Sequence, residues 1–194
     1  KIPAAELRSL VDRTRFAIST EETRYYLNGI YLHTAGVDGV QLLRAAATDG
    51  HRLARVEMPL PEGANGMPGI IIPRKTVAEL RKLIDESDDV IDITLSDTKI
   101  QFAFDGAILT SKLIDGTFPD YEKVIPVGND KFLEVDCHAF AEAVDRVATI
   151  STERSRSIKL KVDANVLTLS ASSPDNGTAV EEIEVVYDKE ALEI

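Results

Sequence analysis

The stretch "IDITLSDTKIQFAF", residues 91–104, places apolar side chains at every second position on both sides of a polar break. Ile91, Ile93 and Leu95 precede the break, and Ile100, Phe102 and Phe104 follow it. Successive side chains of a β-strand point to opposite faces, so this spacing predicts two strands that each bury one face. The Ser-Asp-Thr break predicts a tight turn, and the pair therefore forms an antiparallel hairpin.

The same pattern recurs in "SIKLKVDANVLTLSAS", residues 157–172. Three dipeptides typical of tight turns lie between other strand-like segments: Asp49-Gly50, Asp105-Gly106 and Asn176-Gly177. Asn, Asp and Gly tolerate the left-handed backbone conformation that such turns require. The sequence therefore predicts antiparallel hairpins repeated along the chain.

Three segments with helical spacing of apolar residues precede these strands, at residues 4–18, 74–84 and 138–150. The residues expected on their buried faces are Leu7, Leu10, Val11, Thr14 and Ile18 in the first, Val77, Leu80 and Ile84 in the second, and Phe140, Val144, Val147 and Ala148 in the third. A helix followed by antiparallel strands thus occurs three times. This order predicts an α+β fold in which helix-plus-strand units pack into two-layer domains.

Two of these units, at about residues 1–60 and 68–121, are expected to pack together as one domain. The proline-bearing segment "FPDYEKVIPVGND", residues 118–130, predicts a linker, which we assign to residues 122–130. The third unit, residues 131–194, has no partner unit in the chain, and a new apolar strand begins in "KEALEI". We therefore expect this unit to be half of a domain and the chain to be a fragment.

The composition excludes several classes of protein. No apolar run approaches the roughly 20 residues that span a bilayer, and the N-terminus resembles no signal peptide. The single cysteine, Cys137, excludes an internal disulfide and cannot form a zinc site alone. These features favour the cytoplasm. A net charge of −11 argues against a uniformly basic nucleic-acid surface, but basic residues cluster within 6–16 and 73–82.

The stretch "ATDGHRLA", residues 47–54, combines hydroxyl, carboxylate, imidazole and guanidinium groups. Asp49 and His51 together suggest a small hydrolase or nuclease. The alternative is a turn, because Asp-Gly favours turns and the chain has no serine-nucleophile, phosphate-loop or zinc-protease motif. His33 and His138 are isolated and match neither metal nor triad spacing, so no metal or cofactor is expected.

The basic helix faces and "TEETRYYLNG", residues 20–29, suggest nucleic-acid binding. A charged outer face is also what any amphipathic helix presents to water. An arginine beside two tyrosines can hold a sugar–phosphate backbone or stack on a base, but Tyr25 or Tyr26 would equally serve as a core residue of a strand. A peptide-binding module without a DNA role stays open as well.

Several motifs occur together in a fixed order, namely "RYYLNG" (24–29), "ATDGHRLA" (47–54), "IIIPRK" (70–75) and "TSKLIDGTFPDY" (110–121), followed by the strand-rich third unit. In this order the chain resembles the bacterial DNA polymerase III β subunits, the sliding clamps. The resemblance implies a DNA-clamp fold built of βαβββ-type units. It assigns residues 1–121 to the middle clamp domain and residues 131–194 to the first half of the C-terminal domain, with the N-terminal domain absent.

The resemblance also implies a function without catalysis. Such clamps close as a homodimeric ring around duplex DNA in the bacterial cytoplasm, associated with the nucleoid during replication, and tether the polymerase to its template. They bind DNA independently of sequence, and they bind peptides of the polymerase III α subunit, the clamp loader and other clamp-binding proteins in a hydrophobic groove. No cofactor or membrane is implied.

Two sets of residues follow from the matched motifs. The implied DNA-facing residues are Arg24, Tyr25, Tyr26, Arg74 and Lys75, to which helix position and charge add Arg8, Arg15, Arg81 and Lys82. The implied peptide groove consists of Leu27, Thr48, Gly50, His51, Arg52, Leu53, Pro119 and Val124. The groove lies between the middle and third domains in this family and is completed by the C-terminal segment. That segment is missing here, so we expect weaker peptide capture.

Overall fold

The computed structural model describes residues 1–85, 87–104, 106–151 and 157–194, which form two compact units, Lys1–Val124 and Ile125–Ile194. The first unit contains β1 (Ile2–Pro3), α1 (Ala4–Asp12), β2 (Gly29–Val37), β3 (Val40–Thr48), β4 (Leu53–Pro59), β5 (Ile70–Pro73), α2 (Arg74–Leu83), β6 (Val90–Leu95), β7 (Lys99–Phe104) and β8 (Ala107–Lys112). Short 3-10 helices occupy Arg15–Ala17, Tyr25–Leu27 and Tyr121–Val124. The second unit contains α3 (Cys137–Ala148), β9 (Lys159–Asp163), β10 (Val166–Ser173), β11 (Gly177–Glu184) and β12 (Leu192–Glu193).

The hairpin predicted over residues 91–104 is confirmed. β6 pairs antiparallel with β7, and Ile93 lies opposite Phe102. Ile91, Ile100 and Phe102 are fully buried, so the apolar positions of the sequence pattern face the core. The hairpin predicted over residues 157–172 also forms, between β9 and β10.

The glycines of the predicted Asp-Gly and Asn-Gly turns adopt the backbone conformation that such turns require. Gly50 lies between β3 and β4 with φ +91°, and Gly177 begins β11 with φ +88°. Both angles fall in the left-handed region that favours glycine. Asp105 of the third predicted turn lies outside the described residues, and its neighbour Gly106 has φ +71°.

The two repeats of the first unit exchange their first strands. β1 precedes α1 in the chain but pairs with β6 of the second repeat, with Ile2 opposite Ile91. β5 precedes α2 but pairs with β2 of the first repeat, with Ile30 opposite Ile72. The strand orders are therefore β1-β6-β7-β8 and β4-β3-β2-β5, and the two repeats share one apolar core.

Each repeat also supplies a hydrogen-bond acceptor to the first residue of the other repeat's helix. Pro3 and Pro73 immediately precede α1 and α2 with φ near −60°, a value suited to the entry of a helix. The backbone N–H of Ala4 donates to Asp89 O, and that of Arg74 donates to Asn28 O, each at 2.9 Å. The first N–H groups of a helix have no partner within it, and here the other repeat supplies the acceptor.

The helix predicted over residues 4–18 is too long. α1 ends at Asp12, and the chain continues through a 3-10 helix to Ile18, which is extended. Thr14 is fully buried, and its hydroxyl donates to Leu10 O at 2.6 Å, so it occupies an acceptor at the end of the helix. Thr14 and Ile18 are buried as predicted, but neither lies on the helix.

Where the structure describes it, at residues 125–151 and 157–194, the second unit has one helix and one sheet, in the order β11-β10-β9-β12. α3 packs against β10 and β11, and Ala143 and Val147 are buried with Leu167 and Leu169. Its predicted neighbours Phe140, Val144 and Ala148 are only partly buried. The helix begins at Cys137, one residue before its predicted start, because the Asp136 carboxylate accepts from Ala139 N at 2.8 Å and caps it.

The α+β class predicted from the sequence is confirmed by these helices and antiparallel sheets. Within the described residues, every helix is either too short or too polar to cross a bilayer.

Candidate functional site

The segment 48–53 is a turn that joins β3 to β4, with Thr48 paired to Leu53. Asp49 Oδ1 accepts from the backbone N–H groups of His51 at 2.9 Å and Arg52 at 3.0 Å, and Oδ2 accepts from Arg52 Nε at 3.0 Å. The Thr48 hydroxyl accepts from Gly50 N and donates to Arg52 O. The polar residues of the motif therefore bind one another and hold the turn.

These contacts determine the charge state of Asp49. The backbone N–H of His51, with further help from Arg52, lowers the pKa of the Asp49 carboxyl to about 2. The carboxylate binds the backbone of His51 and not its imidazole, so the pair lacks the geometry by which an aspartate orients a catalytic histidine. The hydrolase alternative gains no support from this site.

Arg24 connects the "RYYLNG" motif to this turn. Its guanidinium forms two hydrogen bonds with the Glu21 carboxylate, at 2.8 and 2.6 Å, and donates to Asp49 O at 3.2 Å. A Cβ at Gly50 would lie only 2.5 Å from Arg24 Nη1, so the arginine packs where only glycine leaves room. Two motifs separated in sequence thus form one surface.

Tyr25 and Tyr26 lie on a 3-10 helix, which excludes the strand placement that the sequence left open. Tyr25 is 54% exposed, and its ring meets that of Tyr26 edge to face at 5.8 Å. Gly116 lies against both tyrosines, because a Cβ there would be 3.0 Å from Tyr26 Cβ and 3.4 Å from the ring atom Cε2 of Tyr25. Sequence analysis did not identify Gly116, since a glycine in a loop carries no periodic signal.

The apolar residues of the predicted groove differ in exposure. Leu27 is buried, Leu53 is half-buried, and Pro119 and Val124 are exposed. Arg52 extends over the ring of Phe16, with Cζ 5.5 Å from the ring centroid, and Phe16 is 55% exposed. Phe16 was missed because only the fold brings it to Arg52.

Pro119 lines a separate depression of about 620 Å³ in the first unit. Tyr31, His33, Arg44 and Tyr121 also line it. The structure therefore joins Arg24 to Thr48, Gly50, His51, Arg52 and Leu53 around the turn, while Pro119 lines the other depression.

Apart from Arg24, which binds Glu21 and Asp49, the basic residues predicted to face DNA fall into two groups. Arg8 donates to the carbonyl oxygens of Ile84 and Asp85, Arg15 pairs with Asp12 at 3.1 Å, and Lys82 pairs with Glu79 at 3.2 Å. Arg81 Nε binds both Asp12 carboxylate oxygens, at 2.8 and 2.9 Å, and Nη1 pairs with Asp85. The Arg8 and Arg81 contacts link α1 to α2 and the residues that follow it, whereas the pairs of Arg15 and Lys82 join residues three apart in sequence. The carboxylate partners balance much of the positive charge.

Arg74 and Lys75 form the second group. Both are exposed at the first two positions of α2, and neither forms an ion pair with any residue that the structure describes. The amino end of a helix carries partial positive charge from its backbone dipoles, which adds to the two side chains. This end of α2 is thus a basic surface available to an anion.

Within the described ranges, no three His, Cys, Asp or Glu side chains are grouped so that they could hold a metal ion.

Comparison with known proteins gives the same result for both units. Residues 1–120 match the model of the DNA polymerase III beta subunit central domain, and residues 122–194 match that of its C-terminal domain. The chain is 58% identical over 189 residues to the beta sliding clamp of Caulobacter vibrioides, covering 97% of this chain and 51% of that protein. It is 37% identical over 193 residues to the beta sliding clamp of Escherichia coli K12, covering 100% of this chain and 51% of that protein.

Solved structures agree with these relatives. A sliding clamp from Bartonella birtlesii, solved with griselimycin bound, superposes with a TM-score of 0.95 at 54% identity and covers 100% of this chain and 52% of that chain. The clamp of Pseudomonas aeruginosa gives a TM-score of 0.91 at 39% identity, with the same coverage. The chain spans about half the length of the curated relatives that it matches. On this sequence and structural evidence, the chain belongs to the DNA polymerase III beta subunit family.

Proposed function

We propose that the chain is part of a sliding clamp, a non-catalytic processivity factor that holds the replicative polymerase on duplex DNA. The match of both units to consecutive domains of one beta subunit carries this proposal. In the proposed assignment, residues 1–121 are the middle domain, residues 122–130 a linker, and residues 131–194 the first half of the C-terminal domain. The complete protein would close as a homodimeric ring in the cytoplasm, and the polymerase α subunit and clamp loader would be its partners.

The proposed DNA contact is the amino end of α2. A clamp that slides must bind phosphates without reading bases, because base-specific contacts would fix it at one sequence. Arg74 and Lys75 are exposed and form no ion pair with a described residue, and they are the basic residues best suited to this contact. Arg8, Arg15, Arg81 and Lys82 already bind groups of the protein, so we propose a smaller share for each.

Replacing Arg74 and Lys75 together by glutamate is expected to weaken binding to duplex DNA equally for unrelated sequences. Loss of two phosphate contacts makes the slope of log affinity against log salt shallower by about 2. Fluorescence anisotropy with labelled duplexes, measured from low to moderate salt, gives both quantities.

The matched control is Lys112→Glu, which makes the same type of charge change at an exposed strand residue of the same unit. If Lys112→Glu lowered the affinity and the salt dependence as strongly as the double variant, the assignment of DNA binding to Arg74 and Lys75 would be contradicted. Peptide binding that persists in a protein with no measurable DNA affinity would instead favour a peptide-binding module.

The proposed second function is capture of partner peptides beside the turn 48–53. Leu53, which is half-buried, supplies apolar surface above the buried core that includes Leu27. His51 and Arg52 form exposed polar walls on a turn held rigid by Asp49. Because Gly50 has no side chain, its backbone is accessible to a peptide except on the side where Arg24 packs. Pro119 and Val124 are exposed on the segment that ends the first unit, and in the proposed groove they would add further apolar surface.

Leu53→Ala is expected to weaken binding of a peptide that carries leucine and phenylalanine anchors by roughly 10- to 100-fold, since a buried leucine contact contributes about 1.5–3 kcal/mol. Anisotropy of the fluorescein-labelled peptide measures this loss. Leu42→Ala is the control, because Leu42 is also half-buried but lies at the opposite end of the same hairpin, across from Pro59. Equal affinities of the wild type and Leu53→Ala would overturn the groove.

A further inference from the structure

The segment that carries Pro119 and Val124 is held on β2 by a stack of rings. The ring of Phe118 lies parallel to that of Tyr31, with centroids 4.8 Å apart, and Tyr31 in turn stacks on His33 at 4.6 Å. Tyr121 meets His33 edge to face at 5.8 Å. Phe118 and Tyr121 are both buried, so this stack attaches residues 118–121 to the sheet.

A hydrogen bond between His33 and Tyr121 fixes the protonation state at the end of this stack. His33 Nδ1 lies 3.0 Å from Thr34 O, which can only accept, so Nδ1 carries a proton. His33 Nε2 lies 2.8 Å from the Tyr121 hydroxyl. In the neutral imidazole Nε2 is an acceptor, and Tyr121 therefore donates to it.

Arg44 makes a second attachment to the same segment. It lies opposite His33 in the β2–β3 pair, is only 6% exposed, and pairs with Glu57 at 2.7 Å and with Glu122. Burial raises the pKa of Tyr121, while the charge of Arg44 lowers it. Arg44 thus holds Glu122, the residue that follows Tyr121, and Tyr121 itself donates to His33.

Protonation of His33 is incompatible with this arrangement. Nε2 then becomes a donor, and the Tyr121 hydroxyl loses the acceptor to which it donates in the docked segment. The charged or titratable groups around the imidazole are Tyr31 on its own strand, Arg44 on β3, Glu57 and Arg55 on β4, and Asp120, Tyr121 and Glu122 on the opposing segment. The nearby carboxylates are already engaged by Arg44, or in the case of Asp120 by Lys123 at 2.8 Å.

We propose that His33, Tyr121 and Arg44 form a proton-sensitive latch that positions residues 118–124, and through them Pro119 and Val124, for peptide capture. The peptide part of this inference rests on the proposed function. The docked segment requires the neutral imidazole, because only then can Nε2 accept from Tyr121, so lowering the pH disfavours docking.

Two measurements on the 194-residue chain test the latch. In NMR titrations from about pH 8 to about pH 5.5, the backbone amides of residues 120–123 are expected to shift with the same midpoint as the His33 ring. Affinity for the peptide with leucine and phenylalanine anchors is expected to fall about tenfold over the same range, as for loss of one net hydrogen bond.

Two variants separate the latch from simple packing. His33→Gln supplies an amide oxygen that can accept from Tyr121 at every pH, and Tyr121→Phe keeps the ring but removes the hydroxyl. Both are expected to abolish the pH-dependent amide shifts and to flatten the affinity profile. His51→Gln removes the other titrating histidine of the groove and is expected to retain the fall with pH, whatever its affinity at neutral pH.

The outcomes are distinguishable. Amides of residues 120–123 that do not follow His33, or a His33→Gln protein that keeps the pH-dependent shifts, would overturn the latch even if the peptide binds. A peptide that binds at no pH would overturn the proposed groove, and the amide titration would still decide whether the latch exists.

Discussion

Phe102→Ala is expected to lower the free energy of unfolding of the first unit by about 3–5 kcal/mol, since a buried phenylalanine leaves a cavity when truncated. Phe102 is fully buried on β7, opposite Ile93 of β6 and Leu109 of β8. β7 is flanked by β6 and β8, and the Phe102 ring packs in the apolar core that the two repeats share. Urea unfolding followed by circular dichroism measures the loss, because the chain contains no tryptophan.

Phe16→Ala is the matched control for this change. The same atoms are removed, but Phe16 is 55% exposed and contacts Arg52 through its ring face. A loss of less than about 1 kcal/mol is expected, which is the size of one exposed cation–π contact. Equal losses in the two variants would mean that Phe102 does not occupy a closely packed core.

Gly29→Ala is expected to disrupt the pairing of β2 with β5. A Cβ at Gly29 would lie 2.2 Å from Ile72 O, which is a backbone atom and cannot rotate away. Relief of this clash requires β5 to move. α2 follows β5 directly in the chain, and the Arg74 N–H at its start donates to Asn28 O, so the movement would also disturb this hydrogen bond. Overpacking of this kind costs about 1–3 kcal/mol or more, and urea unfolding again measures it.

Gly36→Ala, in the same strand, controls for the propensity of alanine in β2. Its Cβ would lie 3.3 Å from the terminal Nε2 of Gln41, a flexible side-chain atom that can shift. Little change in stability is expected for this variant. A Gly29→Ala protein as stable as Gly36→Ala would show that the two strands separate at small cost.

The periodic parts of the fold were predictable because their signals are local. Alternation from Ile91 to Phe104 requires only that a strand bury one face, and the structure buries those positions. Asp49-Gly50 was predicted as a turn for the same reason, since its hydrogen bonds join residues two and three apart. The length of α1 was predicted wrongly, because buried residues at Thr14 and Ile18 continue the helical spacing after the helix has ended.

The candidate site was predicted less completely. The sequence identified Arg24, Thr48, Gly50 and Leu53 through motifs and a family resemblance, and the fold joins them around one turn. It did not identify Gly116 or Phe16, which act only through contacts with distant residues. It assigned both Arg74 and Arg81 to DNA, the first by the matched motif and the second by helix position and charge, whereas Arg81 binds Asp12 and Asp85 and Arg74 binds neither.

The sequence by itself determined the α+β class, the hairpins and the turn chemistry, because side-chain period and backbone preference act between neighbours in the chain. Only the tertiary structure decided that β1 and β5 exchange between repeats, which basic side chains keep an unbalanced charge, and that His33 meets Tyr121. His33 and Tyr121 are 88 positions apart. Hydrogen bonds and ion pairs depend on distances of about 3 Å, and those distances between remote residues exist only after the sheets have packed.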